Sequence, residues 1–212
     1  MSKDLLFRGN SLYTIVEGPT WEEAEANANK LGGHLVSINS SAENKFIRDN
    51  FDFYGYHPNS TTDPNGYWIG LRDVNKNGDW QWEDGTKLEE FTNWEPTIGH
   101  TQPDRIGIED VVKMNPDQQG SWNNTTKTDI TNVSAGISET PFIRRGDSAY
   151  VVVEGPTWEE AEANANKLGG HLVTINNAEE NNWLMSNIDA DVGKTGFWTG
   201  LNDLNEEGVW EW

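Results

Sequence analysis

The string VEGPTWEEAEANANKLGGHLV occurs twice, at Val16–Val36 and again at Val153–Val173, identical at all 21 positions. An internal repeat of this fidelity constrains the fold before any residue is interpreted, because whatever one copy builds the other must build too. The two strings are 137 residues apart, and the match continues as Ser37, Ile38 and Asn39 against Thr174, Ile175 and Asn176. It resumes at Trp68, Gly70 and Leu71 against Trp198, Gly200 and Leu201, now at a spacing of 130. Seven residues are therefore missing from the second copy, in the tract matching FDFYGYHPNSTTDPNG. That stretch is rich in turn formers, where length changes are tolerated. Trp210 and Trp212 answer Trp80 and Trp82, so the second copy stops where the first still continues to a boundary near Arg145. Half a module leaves apolar faces and strand edges without partners. The chain thus reads as part of a longer array, with one full domain over residues 1–145 and a truncated one over 146–212.

Within a copy, local chemistry sets the elements. Thr20 followed by Glu23 makes a capping box that opens a helix, and Trp21, Ala24, Ala28 and Leu31 then fall on one face at helical spacing. Gly32 ends that helix by accepting a positive φ. Ser40 with Glu43, and Asn177 with Glu180, open a second helix in each copy. After Asn65 the pattern turns to GYWIGL, DWQW and EDVVKM, short aromatic and β-branched runs divided by turn residues, which predict strands. Helices first and strands afterwards indicate an α+β fold with antiparallel sheets. Residues 84–108 carry few strand signals and two prolines, and form a long irregular loop of the kind that usually has a function.

Composition narrows the partners. Fifteen basic against 35 acidic residues give a formal charge of −20, which repels phosphate backbones and anionic lipid, so nucleic acid is excluded as a partner. Cysteine is absent, leaving no disulfide, thiolate metal site or Cys nucleophile. Eleven Trp and 21 Gly suit a loop-rich fold on aromatic anchors. No stretch approaches the ~20 apolar residues of a membrane helix, so membrane insertion is not expected, and the first residues lack the apolar core of a signal peptide.

The segments WEEAEANANKLGGHLVSI, YWIGL, GDWQW, FTNW, QPD, ED and GSWNN stand in the order found in C-type lectin domains, and the chain resembles that family over nearly all of copy one and the first half of copy two. The resemblance implies a C-type lectin-like fold of two short helices, antiparallel sheets and a long ligand-binding loop, here in tandem, cysteine-free copies of bacterial type. It implies a loop that holds calcium, whose open coordination positions take two neighbouring sugar hydroxyls; calcium suits this because it accepts six to eight hard oxygen ligands in flexible geometry. The matching positions are Gln102, Asp104, Glu109, Asn123 and Asn124, expected to bind both calcium and carbohydrate, with Pro103 expected in the cis peptide that turns its neighbours toward one ion. Asn124 stands where the family usually has Asp, so Asp104 and Glu109 alone bring formal charge, which lowers calcium affinity. Ala28, Val111 and Lys127 stand at positions that the family gives to Cys; the ~2–4 kcal/mol that each disulfide supplies must come from elsewhere, and bound calcium is one source. Gln-Pro-Asp resembles the galactose-type motif, yet Arg105 follows it in place of an aromatic ring, leaving the sugar open. An auxiliary calcium position at Asp73 and Asn77, completed by Glu109 and Asp110, is matched in part by Asp203 and Glu207; the same residues also read as a turn between strands.

Competing readings are plainer. His34 and His171, in GGHLV, read as packed or surface histidines. Glu83, Asp84, Glu89 and Glu90 read as a solvated face, and Trp21, Trp68, Trp80, Trp82 and Trp122 as core. The leading function is a calcium-dependent carbohydrate-binding module of a multi-domain surface or secreted protein, with glycan as partner and an extracellular location. The alternative is a structural or adhesive module that binds a protein surface without sugar. No nucleophile, base and orienting group occur together, so an enzyme is not expected.

Overall fold

The computed structural model describes residues 5–51, 66–97, 100–117, 119–128, 133–188 and 196–212. They divide into two compact units, Met1–Asn29 with Gly33–Pro141, and Lys30–Gly32 with Phe142–Trp212.

In the first unit the strands and helices run β1 (Leu6–Arg8), β2 (Ser11–Glu17), α1 (Trp21–Lys30), β3 (His34–Leu35), α2 (Ser41–Asn50), β4 (Tyr67–Asp73) and β5 (Trp80–Trp82), then β6 (Pro96–Thr97), β7 (His100–Thr101), β8 (Val111–Met114), β9 (Trp122–Thr125) and β10 (Ala135–Pro141). Eight strands form one sheet in the order β1-β2-β10-β4-β8-β9, with β3 on β10 and β5 on β4. Strand β10 returns to pair with β2 from Ala135↔Glu17 to Pro141↔Ser11, so the two ends of the unit close on each other. Pairing is antiparallel except at Gly136↔Trp68, where β10 meets β4 in parallel.

The helix signals act largely as read. Thr20 Oγ1 accepts from Glu23 N at 3.2 Å, and Glu23 Oε2 accepts from Thr20 N at 3.2 Å, a reciprocal capping box. At α2 the pattern shifts by one residue: Ser40 caps Glu43 N, but the Glu43 carboxylate passes the cap and takes Asn39 N at 2.9 Å. Glu180 does the same to Asn176 N in the second copy, so the expected second box is a cap with an extended reach. Gly32 has φ +80, as a helix stop in the left-handed region requires. Gly18 is demanded by space, since a Cβ there would lie 2.2 Å from Ala24 N.

The core gathers Tyr13, Ile38, Ile47, Tyr67, Ile69, Leu71, Trp82, Val112, Met114, Trp122 and Ile137 among others. Trp21, Trp68, Trp80, Trp82 and Trp122 are all buried, so their alternation along helix and strand serves packing. Trp122 meets Trp82 edge-on at 5.5 Å and Phe91 at 5.6 Å, and it supports the start of the long loop through Trp94 at 5.9 Å. Aromatic pairs of this geometry contribute roughly 0.5–1.5 kcal/mol beyond their buried area. Ala28 and Val111 are fully buried, and Lys127 pairs with Glu22 at 2.9 Å, so packing and an ion pair occupy the positions that the resemblance assigns to cystines.

The second unit contains β11 (Ile143–Arg145), β12 (Ser148–Tyr150), α3 (Trp158–Lys167) and α4 (Ala178–Asn187). Its polar struts repeat those of the first. Trp158 Nε1 donates to Thr199 O at 2.8 Å as Trp21 Nε1 does to Ile69 O at 2.9 Å. Gly200 N donates to Val173 O at 2.9 Å as Gly70 N does to Val36 O at 2.9 Å. Trp198 and Trp210, whose counterparts are buried, are 51% and 62% exposed. In the first unit Trp68 lies on β4 between β8 and β10, and Trp80 packs on Trp94 at 5.2 Å; the described residues of the second unit hold no counterpart of these partners.

Candidate functional site

The loop between β5 and β8 is turned back by β6 and β7, which pair Pro96↔Thr101 and Thr97↔His100. It leads into a cis Gln102–Pro103 peptide, as the resemblance implies. Beyond it the loop is fastened to β9 by one side chain. Asn124, buried at 1% exposure, donates from Nδ2 to Asp104 O at 2.6 Å and to Glu109 O at 3.0 Å, while its Oδ1 accepts from Asp104 N at 3.1 Å. Gln102 Oε1 also accepts from Asp104 N, at 3.3 Å. A carboxylate at position 124 has no proton to donate at neutral pH, so the two carbonyl contacts belong to asparagine in particular.

The charged groups of the loop face one another. Burial raises the Glu109 carboxyl above its usual range; the Arg105 guanidinium opposes that, and the negative charge of the neighbouring Asp104 adds to it. Arg105 itself, a non-glycine residue at φ +45, donates from Nη1 to Glu109 Oε1. Gln102, Asp104, Glu109 and Asn124 are thus brought into one network. Asn123 is drawn elsewhere: its Nδ2 donates to Glu95 Oε2 at 3.0 Å, an acceptor it shares with Asn115 at 3.2 Å. The sequence reading missed Glu95, Asn115 and the ion pair of Arg105. Glu95 is positioned by its backbone, since Glu95 N donates to Trp122 O at 2.9 Å, a long-range contact that no local pattern announces.

The auxiliary residues also converge, as a turn. Both carboxylate oxygens of Asp73 accept backbone N–H groups, from Asn77 at 3.1 Å and Gly78 at 2.9 Å. Asp73 N donates to Asp110 O at 2.9 Å, and Lys76 Nζ lies 3.6 Å from Asp110 Oδ2. Asp73 and Asp110 are buried and Asn77 is exposed. For the loop itself, the donor set fits calcium: the Gln102 amide oxygen and the Asp104 and Glu109 carboxyls are hard oxygen donors of the kind this ion prefers.

Two capped helices per copy, a sheet closed by its first and last strands, and a loop fastened across β9 define a lectin-like binding domain of the α+β class. A family model for the Lectin C-type domain matches residues 17–133 and 154–212, and the chain belongs to that carbohydrate-binding family. C-type mannose receptor 2 of Mus musculus is 29% identical over 216 residues, covering 91% of this chain; the chain spans only 13% of that relative's length. Among solved structures, the C-type lectin domain of murine dendritic cell inhibitory receptor 2, in complex with N-glycan, aligns at a TM-score of 0.51 with 26% identity, covering 66% of this chain and 97% of that one. A calcium-independent type II antifreeze protein aligns at a TM-score of 0.51 with 25% identity, over 65% of this chain and 91% of its own. Among the described residues, no helix is long and apolar enough to cross a membrane.

Proposed function

We propose that the first unit binds carbohydrate through a calcium ion held in its long loop by Gln102, Asp104, Glu109, Asn123 and Asn124. The observation that carries this reading is the network that gathers Gln102, Asp104 and Glu109 on one loop fastened by Asn124, where burial and the Asp104 charge hold the Glu109 carboxyl above its usual range, a repulsion that a divalent ion would relieve. When bound, calcium would supply open coordination positions for a pair of sugar hydroxyls, with the same carboxylates and amides accepting or donating hydrogen bonds to them. For this to happen Arg105 must leave Glu109 and Asn123 must leave Glu95. A further ion at Asp73, Asn77 and Asp110 would compete with the Lys76 ammonium.

The module would be one of two, over residues 1–145 and 146–212, in a larger extracellular or cell-surface protein, where arrayed sites strengthen weak single-site binding. A second reading, a structural or adhesive module that recognises a protein surface, is favoured by one feature: Asn124 and Arg105 tie the loop together through bonds among its own residues. Retention on galactose- and mannose-bearing supports, with calcium and with chelator, separates the two. Under the first reading Asp104→Ala and Glu109→Ala abolish calcium-dependent retention; equal retention by parent and variants, or retention unaffected by chelator, overturns it.

A further inference from the structure

A second group of ligand-bearing side chains lies away from the loop. Glu25 on α1, His34 at the start of β3 and Glu83 just after β5 each present one donor atom, and these atoms all lie within 4.8 Å of one another. We propose that Glu25, His34 and Glu83 form a site for a divalent transition-metal ion of the zinc class, independent of the calcium loop.

Each member is held by its surroundings. Glu25 Oε1 lies 2.7 Å from His34 Nδ1, and Glu25 Oε2 accepts from Leu35 N at 2.8 Å, so the carboxylate that would ligate is already oriented by the backbone. Asn29 adds a donor to Glu25 Oε1 at 3.0 Å. Glu83 N donates to Gly70 O at 2.9 Å, which fixes the chain from which its side chain reaches inward. Arg72 pairs with Glu83 through its Nε. A carboxylate has two oxygens, so Glu83 can keep Arg72 on one and give the other to an ion. Zinc takes nitrogen and carboxylate oxygen at about 2.0–2.2 Å, so the three donors need to draw in by roughly 1 Å, within the reach of side-chain torsions. His34 is 46% exposed while Glu25 is buried, which leaves a route for the ion from solvent and a fourth position for water.

Donor type selects the ion. An imidazole nitrogen among the ligands favours zinc-like ions over calcium, which prefers oxygen alone. The second copy supplies a comparison. There Glu162 and His171 make the same 2.7 Å pair, and Leu172 N donates to Glu162 at 2.8 Å, so the pair alone is part of the repeat's architecture. In the first copy Glu83 adds a third donor to that pair.

The test uses the full chain, stripped with chelator and titrated with zinc by calorimetry and with cobalt(II) by visible absorption, in excess calcium throughout. One equivalent of tight binding is expected, with a nitrogen-and-oxygen cobalt spectrum. His34→Gln and Glu83→Gln, each checked for fold by circular dichroism, should weaken it by at least roughly tenfold, and Asp104→Ala should leave it unchanged. Absence of saturable binding, or parent-like binding by both His34→Gln and Glu83→Gln, overturns the site. Loss in Asp104→Ala with retention in His34→Gln would place the ion in the loop and overturn it too.

Discussion

Asn124 permits a sharp test, because replacing it by aspartate changes one amide nitrogen that donates two hydrogen bonds into an acceptor oxygen at nearly constant volume. In the native loop its Nδ2 supplies hydrogen bonds to Asp104 O at 2.6 Å and Glu109 O at 3.0 Å, both partly buried. Losing each costs about 1 kcal/mol, and the new carboxylate also stands beside Asp104 and Glu109, so Asn124→Asp should destabilise the calcium-free protein by roughly 2–3 kcal/mol. For a chain of this size that is a fall in Tm of about 4–12 °C. In calcium the sign turns. A third carboxylate strengthens ion binding, and free calcium at a hundred times Kd restores about 2.7 kcal/mol. Thermal unfolding followed by tryptophan fluorescence, with chelator and with excess calcium, should therefore show a variant below the parent in the first condition and near or above it in the second. A Tm within about 1 °C of the parent in chelator would refute the role given to the Asn124 amide.

Arg105→Gln removes the guanidinium that competes for Glu109; because the Arg105 side of that pair is exposed to solvent, which screens it, calcium affinity should rise only about twofold to fivefold by calorimetry. Trp122 Nε1 donates to Asn44 Oδ1 at 2.8 Å in the core, so Asn44→Ala strands a buried indole N–H and should cost about 1–3 kcal/mol in urea unfolding. Glu109 must be ionised to ligate, and its carboxyl titrates above 4.5, so calcium affinity should fall as pH is lowered through a range higher than an ordinary glutamate would give. A calcium titration repeated at several pH values checks this, and Glu109→Gln should remove the Glu109-dependent part of the profile.

Local signals in the sequence were reliable where a single element decides the outcome. Thr20 with Glu23 forms a true box, Gly32 takes the left-handed stop, and the tryptophans are core because their spacing follows helix and strand faces. Four of the five expected loop residues meet. The fifth departs for a reason that strand geometry contains: Asn123 and Asn124 are neighbours on β9, and adjacent side chains on a strand leave opposite faces. One therefore turns to the loop and the other to Glu95. What could not be read in advance depends on contacts between distant segments. Glu95 is set by pairing with Trp122, Arg105 by a backbone in the left-handed region, and Glu83 by a strand that carries it toward a helix some sixty residues earlier in the chain. The turn at Asp73 shows the converse, since Asn, Asp and Gly spacing alone described it.

The helices α1 and α3 have one sequence, and each hangs its tryptophan on a backbone carbonyl, of Ile69 in one copy and Thr199 in the other. A carbonyl is the same whichever residue bears it, so by this bond neither segment can tell its own helix from the neighbour's. Correct assembly then falls to chain connectivity and to the order in which segments emerge during synthesis, for the nearer helix has the shorter loop to close. Adjacent copies of such a module are candidates for exchanging helices when refolded together, and divergence outside the shared string, as in α2 and α4, is where the chain can write the difference.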